Sequence, residues 1–401
     1  MEKTKFLGYC SGTLTKGCKE CVLGNKTVLF ITGKCERKCY YCPLPESRKN
    51  LDVVYANERK LSNVNAVSEA IEEAKLCSSK GLGITGGNPL QVLPRTIKFV
   101  RAFKKAFGKH FHIHIYLPTD QVTQRKLEKL AKSGIDEIRF HPYFLSKDEN
   151  GLKAIADAYA LKKKYHWKVG IEIPSIPKME RQTVKFLKTV KNIDFLNLNE
   201  FEMPSLGGEN LQKRGMSTVG NSVAIKGSQK TALNIMKALK DSKFPIHYCS
   251  AQTKNLFQFK NRLKRRLLNV KKPYDMITED NDLFHAAIYL PETKPMFGYE
   301  KKLELLRKNE KLISRLDALR KKFIREFQIP SKLIEIDKQF LRILTSAEIA
   351  EKCSDETKKS WRDFRVPRNE CISGMKSERV CVALVTELPT YDRIILNLEW
   401  L

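Results

Sequence analysis

Three cysteines, Cys35, Cys39 and Cys42, stand in the spacing C-x3-C-x2-C, so one short loop can wrap three thiolates round a common inorganic centre. The loop has no fourth cysteine. Structural zinc sites and electron-transfer iron-sulfur clusters are normally closed by four protein ligands. Three thiolates on a [4Fe-4S] cluster leave one iron open, able to chelate a small molecule through an amine and a carboxylate as an open catalytic metal position does. The competing reading is a partial zinc knuckle or three incidental buried thiols. Upstream, Cys18 and Cys21 in C-K-E-C have the bite of a zinc ribbon or iron-sulfur site, but no second pair follows nearby. Any further ligand to them must arrive through the fold: Cys249 in F-P-I-H-Y-C-S is the candidate, with Cys10 or His247 as fourth. The alternative is a set of unligated thiols.

The elements around these residues follow a regular alternation. Residues 27–32 are β-branched and apolar, stop at Gly33 and predict a buried strand leading into the cysteine loop. The spacing of Ala66, Val67, Ala70, Ile71 and Ala74 predicts a helix over 65–79, with Cys77 as a core thiol. L-G-I-T forms a second strand running into Gly86, Gly87, Asn88 and Pro89, where adjacent glycines let a ligand approach the backbone. Four more strands alternate with helices, ending in D-F-L-N-L-N-E-F-E. Strands separated by helices of this length predict βαβ units and a parallel sheet, and six in a row predict a barrel or most of one. Parallel barrels place their chemistry at the C-terminal strand ends, which points to Thr119 and Asp120 after strand three, His141 after strand four, Glu172 and Ser175 on strand five and Glu200 and Glu202 on strand six. His112 and His114 alternate with apolar residues and are expected to line the barrel.

The cysteine spacing, the strand before it, Tyr41 ahead of the last cysteine and the G-G-N-P turn one strand and one helix later together resemble the radical S-adenosylmethionine (SAM) superfamily. With G-C-K-E-C and I-H-Y-C-S, most of the chain resembles an archaeal branch related to pyruvate formate-lyase activating enzymes. The resemblance implies an α/β fold, a partial (β/α)6 TIM-like barrel over 27–202. It further implies a [4Fe-4S] cluster on Cys35, Cys39 and Cys42, with SAM held near Tyr41, Gly86, Gly87, Asn88, Thr119, Asp120, Glu172 and Ser175. One electron would cleave SAM to methionine and a 5'-deoxyadenosyl radical that takes a hydrogen from the substrate. Asn88 stands where an acidic residue is common, so it brings an acceptor oxygen without charge. An electron donor of the ferredoxin or flavodoxin type is the implied partner.

At 401 residues the chain has room for one large domain with appendages. The expected division is a cysteine-bearing leader over 1–26, the barrel over 27–202, a barrel extension over 203–285 and an accessory α+β domain over 286–401. In the last, 301–327 reads as one long helix, and the end of the chain as two strands. Cys353, Cys371 and Cys381 lack tight metal spacing and are expected to be structural. No apolar run approaches the ~20 residues that span a bilayer, the N-terminus lacks the apolar core of a signal peptide, and 11 cysteines suit a reducing, cytoplasmic setting. The net charge of +29 favours polyanionic partners, RNA first. The densest basic segment, drawn as a helix, puts Leu256, Phe259, Leu263 and Leu267 on one face and Lys260, Lys264, Arg265 and Arg266 on the other, a candidate grip on a phosphate backbone. The leading expectation is therefore modification of RNA (tRNA or rRNA) by radical SAM chemistry. The alternatives are radical modification of a protein, as a glycyl-radical activase performs, and a non-catalytic, metal-stabilised RNA-binding protein.

Overall fold

Alternation along seven strands decides the architecture. A computed structural model describes residues 1–145, 148–204, 208–353 and 380–401. The strands are Lys26–Phe30, Gly81–Thr85, His112–Pro118, Glu137–His141, Lys168–Ser175, Phe195–Glu200 and Ile246–Cys249, here called the first to seventh barrel strands. They pair in parallel, in chain order. On one side of the sheet Leu29, Ile84, Ile113, Ile138, Phe140, Ile171, Ile173 and Leu198 are fully buried, covered by helices such as Leu93–Phe107, Gln124–Ser133 and Ser228–Ala238. Each such side chain contributes about 1.5–3 kcal/mol by leaving water. The other positions of the same strands face inward and are mostly polar, among them Lys26, His112, His114, Glu137, Arg139, Glu172, Asn197 and His247, all buried.

The barrel does not close. Its first strand pairs on the outer side with the antiparallel Tyr55–Ala56, and its seventh with Tyr9–Ser11 from the leader. The partial barrel therefore has the six expected strands plus the extension ending at Cys249. Residues 1–26 are part of this unit: the helix Lys16–Val22 has Gly17 N–H donating to the buried Glu137 carboxylate at 3.3 Å.

The chain divides at Arg265/Arg266, not at the expected 285/286, which would cut the strand Leu283–Tyr289. The second unit, Arg266–Leu401, has its own antiparallel sheet, ordered Ile334–Asp337, Arg342–Thr345, Leu283–Tyr289, Cys381–Glu387 and Ile395–Trp400. The last two strands are the pair expected at the end of the chain. The expected single helix is two, Tyr299–Leu306 and Glu310–Phe327, because Asn309 leaves helical geometry and its side chain accepts from Leu312 N–H as the cap of the second. Cys353 is a free thiol and Cys381 opens the strand Cys381–Glu387; Cys371 lies outside the described residues. Among the described residues no helix is long and apolar enough to cross a membrane.

Candidate active site

The loop after the first barrel strand is pinned at its base. Gly33 N–H donates to the Leu51 carbonyl at 2.8 Å and Asn50 N–H to the Gly33 carbonyl at 2.9 Å, and a Cβ on Gly33 would lie 1.7 Å from the Arg48 carbonyl oxygen. Within it Cys42 N–H turns back onto the Cys39 carbonyl at 3.1 Å. Cys35, Cys39 and Cys42 are free, half-buried and line one cavity. Burial pushes the Cys35 and Cys39 thiols up, opposed at both by Arg37. Among the described residues no three of His, Cys, Asp or Glu converge tightly enough to share a single metal ion. Three thiols on one short loop are a donor set that fits a [4Fe-4S] cluster, whose irons take cysteine thiolates.

Arg37, between the first two cysteines, fastens the loop to the barrel rim. Its guanidinium donates to the Asp120 carboxylate, to the His141 carbonyl and, at 2.7 Å, to Thr119 Oγ1. Thr119 in turn donates to Asp148 at 2.9 Å. Thr119 and Asp120, expected at a ribose, are therefore committed to anchoring the cysteine loop and do not line the cavity. Tyr41, in the cysteine loop, and His141, at the end of the fourth strand, meet. His141 Nδ1 lies 3.1 Å from the Glu172 carbonyl, which can only accept, so Nδ1 carries the proton and Nε2 accepts from the Tyr41 hydroxyl at 3.3 Å. Burial, helped by the Arg37 charge, lowers His141 to about 4, so it is a neutral orienting group near pH 7.

Gly86 and Gly87 line the cavity at the end of the second strand, but their first role is to receive the cysteine loop. A Cβ on Gly86, whose φ is +143°, would lie 2.4 Å from the Thr32 carbonyl oxygen, and one on Gly87 2.2 Å from that of Lys34. Gly87 and Asn88 N–H groups donate to the same two carbonyls, each at 2.7 Å. Asn88 is buried and off the cavity, and its side-chain oxygen accepts from Leu90 N–H at 3.0 Å. It caps the turn Pro89–Val92, which corrects its expected contact with SAM.

Below the rim the cavity, 490 Å³ in volume, continues between the inward side chains, a size typical of small-molecule sites. Glu172 faces it and is fully engaged: Arg139, Asn197 and Asn199 each donate to its carboxylate at 2.8 Å. Burial alone would raise its pKa, but the Arg139 charge and these hydrogen bonds outweigh it and keep the carboxylate ionised. Ser175 lies an odd number of residues from Glu172 on the same strand, so it points away from the cavity, which Pro174 lines instead; the expected adenosine contact is corrected. At the floor Lys26 Nζ sits 2.7 Å from His112 Nδ1 and 3.1 Å from His114 Nδ1. Burial brings Lys26 down to about 8. His114 lines the cavity, and His112 is buried on the same inward face of the strand.

Cys18, Cys21, Cys249 and His247 all line this cavity, whereas Cys10 does not and donates to the Gly12 carbonyl at 3.0 Å. The basic segment is also corrected. It begins as a π-helix, Thr253–Phe259, and continues as the α-helix Lys260–Val270, whose inner face is Arg262, Leu263, Arg266 and Leu267. Arg266 is buried against the Pro389 carbonyl, and Arg265 lies against the Leu23 carbonyl at 3.4 Å; Leu256 is exposed, and only Lys260 and Lys264 of the four basic residues face water. Arg37, Arg139, Lys26, Tyr116, Lys254 and Gln258 are cavity residues that sequence reasoning missed. For all but the last two, both in the π-helix, strand parity or position inside the cysteine loop was the available signal.

The description "Radical SAM superfamily" matches residues 29–216. A protein of Methanocaldococcus jannaschii, provisionally named a glycyl-radical enzyme activating enzyme, is 44% identical over 314 residues, which is 77% of this chain and 82% of that one. Among solved structures, the radical SAM methyltransferase TsrM of Kitasatospora setae with tryptophan and a SAM analogue is 9% identical over 68% of this chain and 57% of its own, with a TM-score of 0.34. This chain thus spans little more than half of that structure's length. Coproporphyrinogen III oxidase of Escherichia coli, itself described as a radical SAM enzyme, is 12% identical over 84% of this chain and 91% of its own, with a TM-score of 0.35. Such distant likenesses say nothing about substrate. The cysteine loop on its strand, the Gly-Gly seat beneath it and the relative in M. jannaschii together place this chain in the radical SAM superfamily, enzymes that use a [4Fe-4S] cluster and SAM.

Proposed function

We propose that this enzyme generates a radical on a protein partner, as a glycyl-radical activase does, rather than modifying RNA. The observation that carries the reading is the 44% identity with the M. jannaschii protein of that provisional name. The commitment of Arg262 to Glu58 and of Arg266 to a backbone carbonyl also takes two cations away from any phosphate-binding face. When bound, the cluster and SAM supply reductive cleavage of the SAM carbon–sulfur bond and a radical able to take a hydrogen atom from carbon. The chain's own residues do the positioning. Cys35, Cys39 and Cys42 would hold three irons, Arg37 fixes their loop, and Gly86 and Gly87 bring bare backbone to the cavity wall. Glu172, Asn197 and Asn199 supply a fixed polar wall below.

The test is anaerobic reconstitution with iron and sulfide, reduction with dithionite in the presence of SAM, and measurement of 5'-deoxyadenosine. The substrate additions are a nuclease-treated protein fraction and a protease-treated RNA fraction of the native cells. The expected result is deoxyadenosine lost in Cys39→Ala, faster release with the protein fraction, and an organic radical signal in that fraction that narrows when the cells are grown on α-deuterated glycine. Stimulation by the RNA fraction alone would replace the protein substrate with RNA.

A further inference from the structure

We propose that the floor of the barrel cavity binds a second, polynuclear iron-sulfur centre through Cys18, Cys21 and Cys249, with the His247 imidazole as the fourth ligand. Soft thiolates select zinc or iron-sulfur centres over harder ions, and these three reach one cavity from two distant parts of the chain. Cys18 and Cys21 are a turn apart on the helix Lys16–Val22, so they share a face. Cys249 and His247 are two apart on the seventh strand, in register with Asn199 and Asn197 of the sixth, and so face the lumen together.

His247 is an independent pointer to a ligand. It is 6% exposed and lines the cavity, and its Nδ1 is buried with no hydrogen-bond partner. Buried ring nitrogens are normally satisfied, and an unpartnered imidazole nitrogen on a cavity wall that also carries three thiols can serve as a metal ligand.

Side-chain N–H groups reach two of the sulfurs. Arg139 Nη2 lies 3.5 Å from Cys18 Sγ, Asn197 Nδ2 3.4 Å from the same sulfur, and Gln258 Nε2 3.4 Å from Cys249 Sγ. Donors of this kind to ligand sulfurs orient the ligands and tune a cluster's potential. Three thiolates and an imidazole are a donor set that iron-sulfur centres use, with histidine in place of cysteine on one iron in some of them.

This site is independent of the substrate class proposed above, and its test leaves the signature loop out. The full-length chain carrying Cys35→Ala, Cys39→Ala and Cys42→Ala is purified anaerobically and reconstituted with ferrous iron and sulfide. Expected are stoichiometric iron and acid-labile sulfide, visible charge-transfer absorption, and an EPR signal on reduction, all lost on adding Cys249→Ser. In the same background His247→Cys keeps four ligands, so it should retain the iron and shift the EPR spectrum. A triple variant with wild-type circular dichroism that binds no iron, or takes up zinc without sulfide, would overturn the centre. An EPR spectrum unchanged by His247→Cys would remove the imidazole from it. Deoxyadenosine release by the wild type reports on the first site alone, so the two readings fail separately.

Discussion

Arg37→Ala deletes in one change the hydrogen bonds to Asp120, Thr119 and the His141 carbonyl, and leaves the Asp120 carboxylate without its cation. The three cysteines remain, so the variant should still take up iron. It should hold it less tightly, because partners that orient metal ligands are typically worth about 10–100-fold in affinity or activity. Competition with an iron chelator, read in the visible spectrum, measures this; a loss below twofold would show that the loop keeps its shape without the clamp. Single residues also set a pH limit. His112 is brought down to about 2 by burial and the neighbouring Lys26 charge, and His114 is held well below its usual value in the same way. Above pH 6.5 both are neutral folded or unfolded. As pH falls below 6.5 the unfolded chain takes up protons that the folded chain refuses, so folding weakens from there downward. The denaturation midpoint should drop between pH 6.5 and 4.5, where paired carboxylates such as Asp52, held below its usual range chiefly by Arg95, still contribute fully. His114→Gln should flatten that drop; an unchanged profile would place the acid sensitivity elsewhere. The cysteines could be read because their spacing is itself chemistry. Arg37, Arg139 and Lys26 had only strand parity or a place in the cysteine loop to mark them, a weaker signal, since a charged residue there looks the same whether it faces water or a buried carboxylate.

The elements that seat the site do so by backbone contact, which makes glycine the sensitive residue. In Gly87→Ala the new methyl would sit 2.2 Å from the Lys34 carbonyl oxygen and 2.8 Å from that of Gly33. Both obstacles are backbone, so the cysteine loop itself must shift. The expected outcome is a folded barrel with impaired iron uptake and deoxyadenosine release down at least tenfold. Normal iron content and turnover would mean that the loop tolerates an offset seat. Gly17→Ala is the parallel change at the floor, where the methyl would meet Arg139 Nη2 at 2.5 Å and Glu137 Oε1 at 2.6 Å. The helix Lys16–Val22 would be pushed off the barrel at a cost of about 1–3 kcal/mol, as overpacking typically costs, measurable by denaturant titration. At this scale the sequence was legible wherever one face was apolar and the other not. The six barrel strands and their helices appeared at the right places because strands of period two alternate with helices of period 3.6. Ser175 was misplaced although parity held the answer: with Glu172 inward, Pro174 faces in and Ser175 out. The break before Asn309 was missed because the apolar spacing from Leu303 to Leu319 runs through it, and a cap overrides periodicity.

For the molecule as a whole, charge separates what the enzyme sticks to from what it acts on. A net charge of +29 gives a field that any polyanion will feel. Binding by phosphate neutralisation falls steeply with salt, by about 10³–10⁵ between 50 and 200 mM when six to ten phosphates are contacted. Duplex or transfer RNA should therefore bind this chain at low ionic strength and release it as salt is raised, and Lys260→Glu with Lys264→Glu, which reverses two exposed cations, should weaken that binding further. If the substrate is a protein, its turnover should survive both changes, since the cavity with its cysteine loop, Glu172 and Asn199 lies on residues that neither salt nor these substitutions touch. The deciding measurement is the rate of deoxyadenosine release with the protein fraction at 50 and 200 mM salt, set beside RNA retention on a filter. Turnover that collapses in step with RNA release would make the basic surface part of substrate binding and return RNA to the active site. Turnover that persists while RNA is lost would leave the charge as a property of the surface.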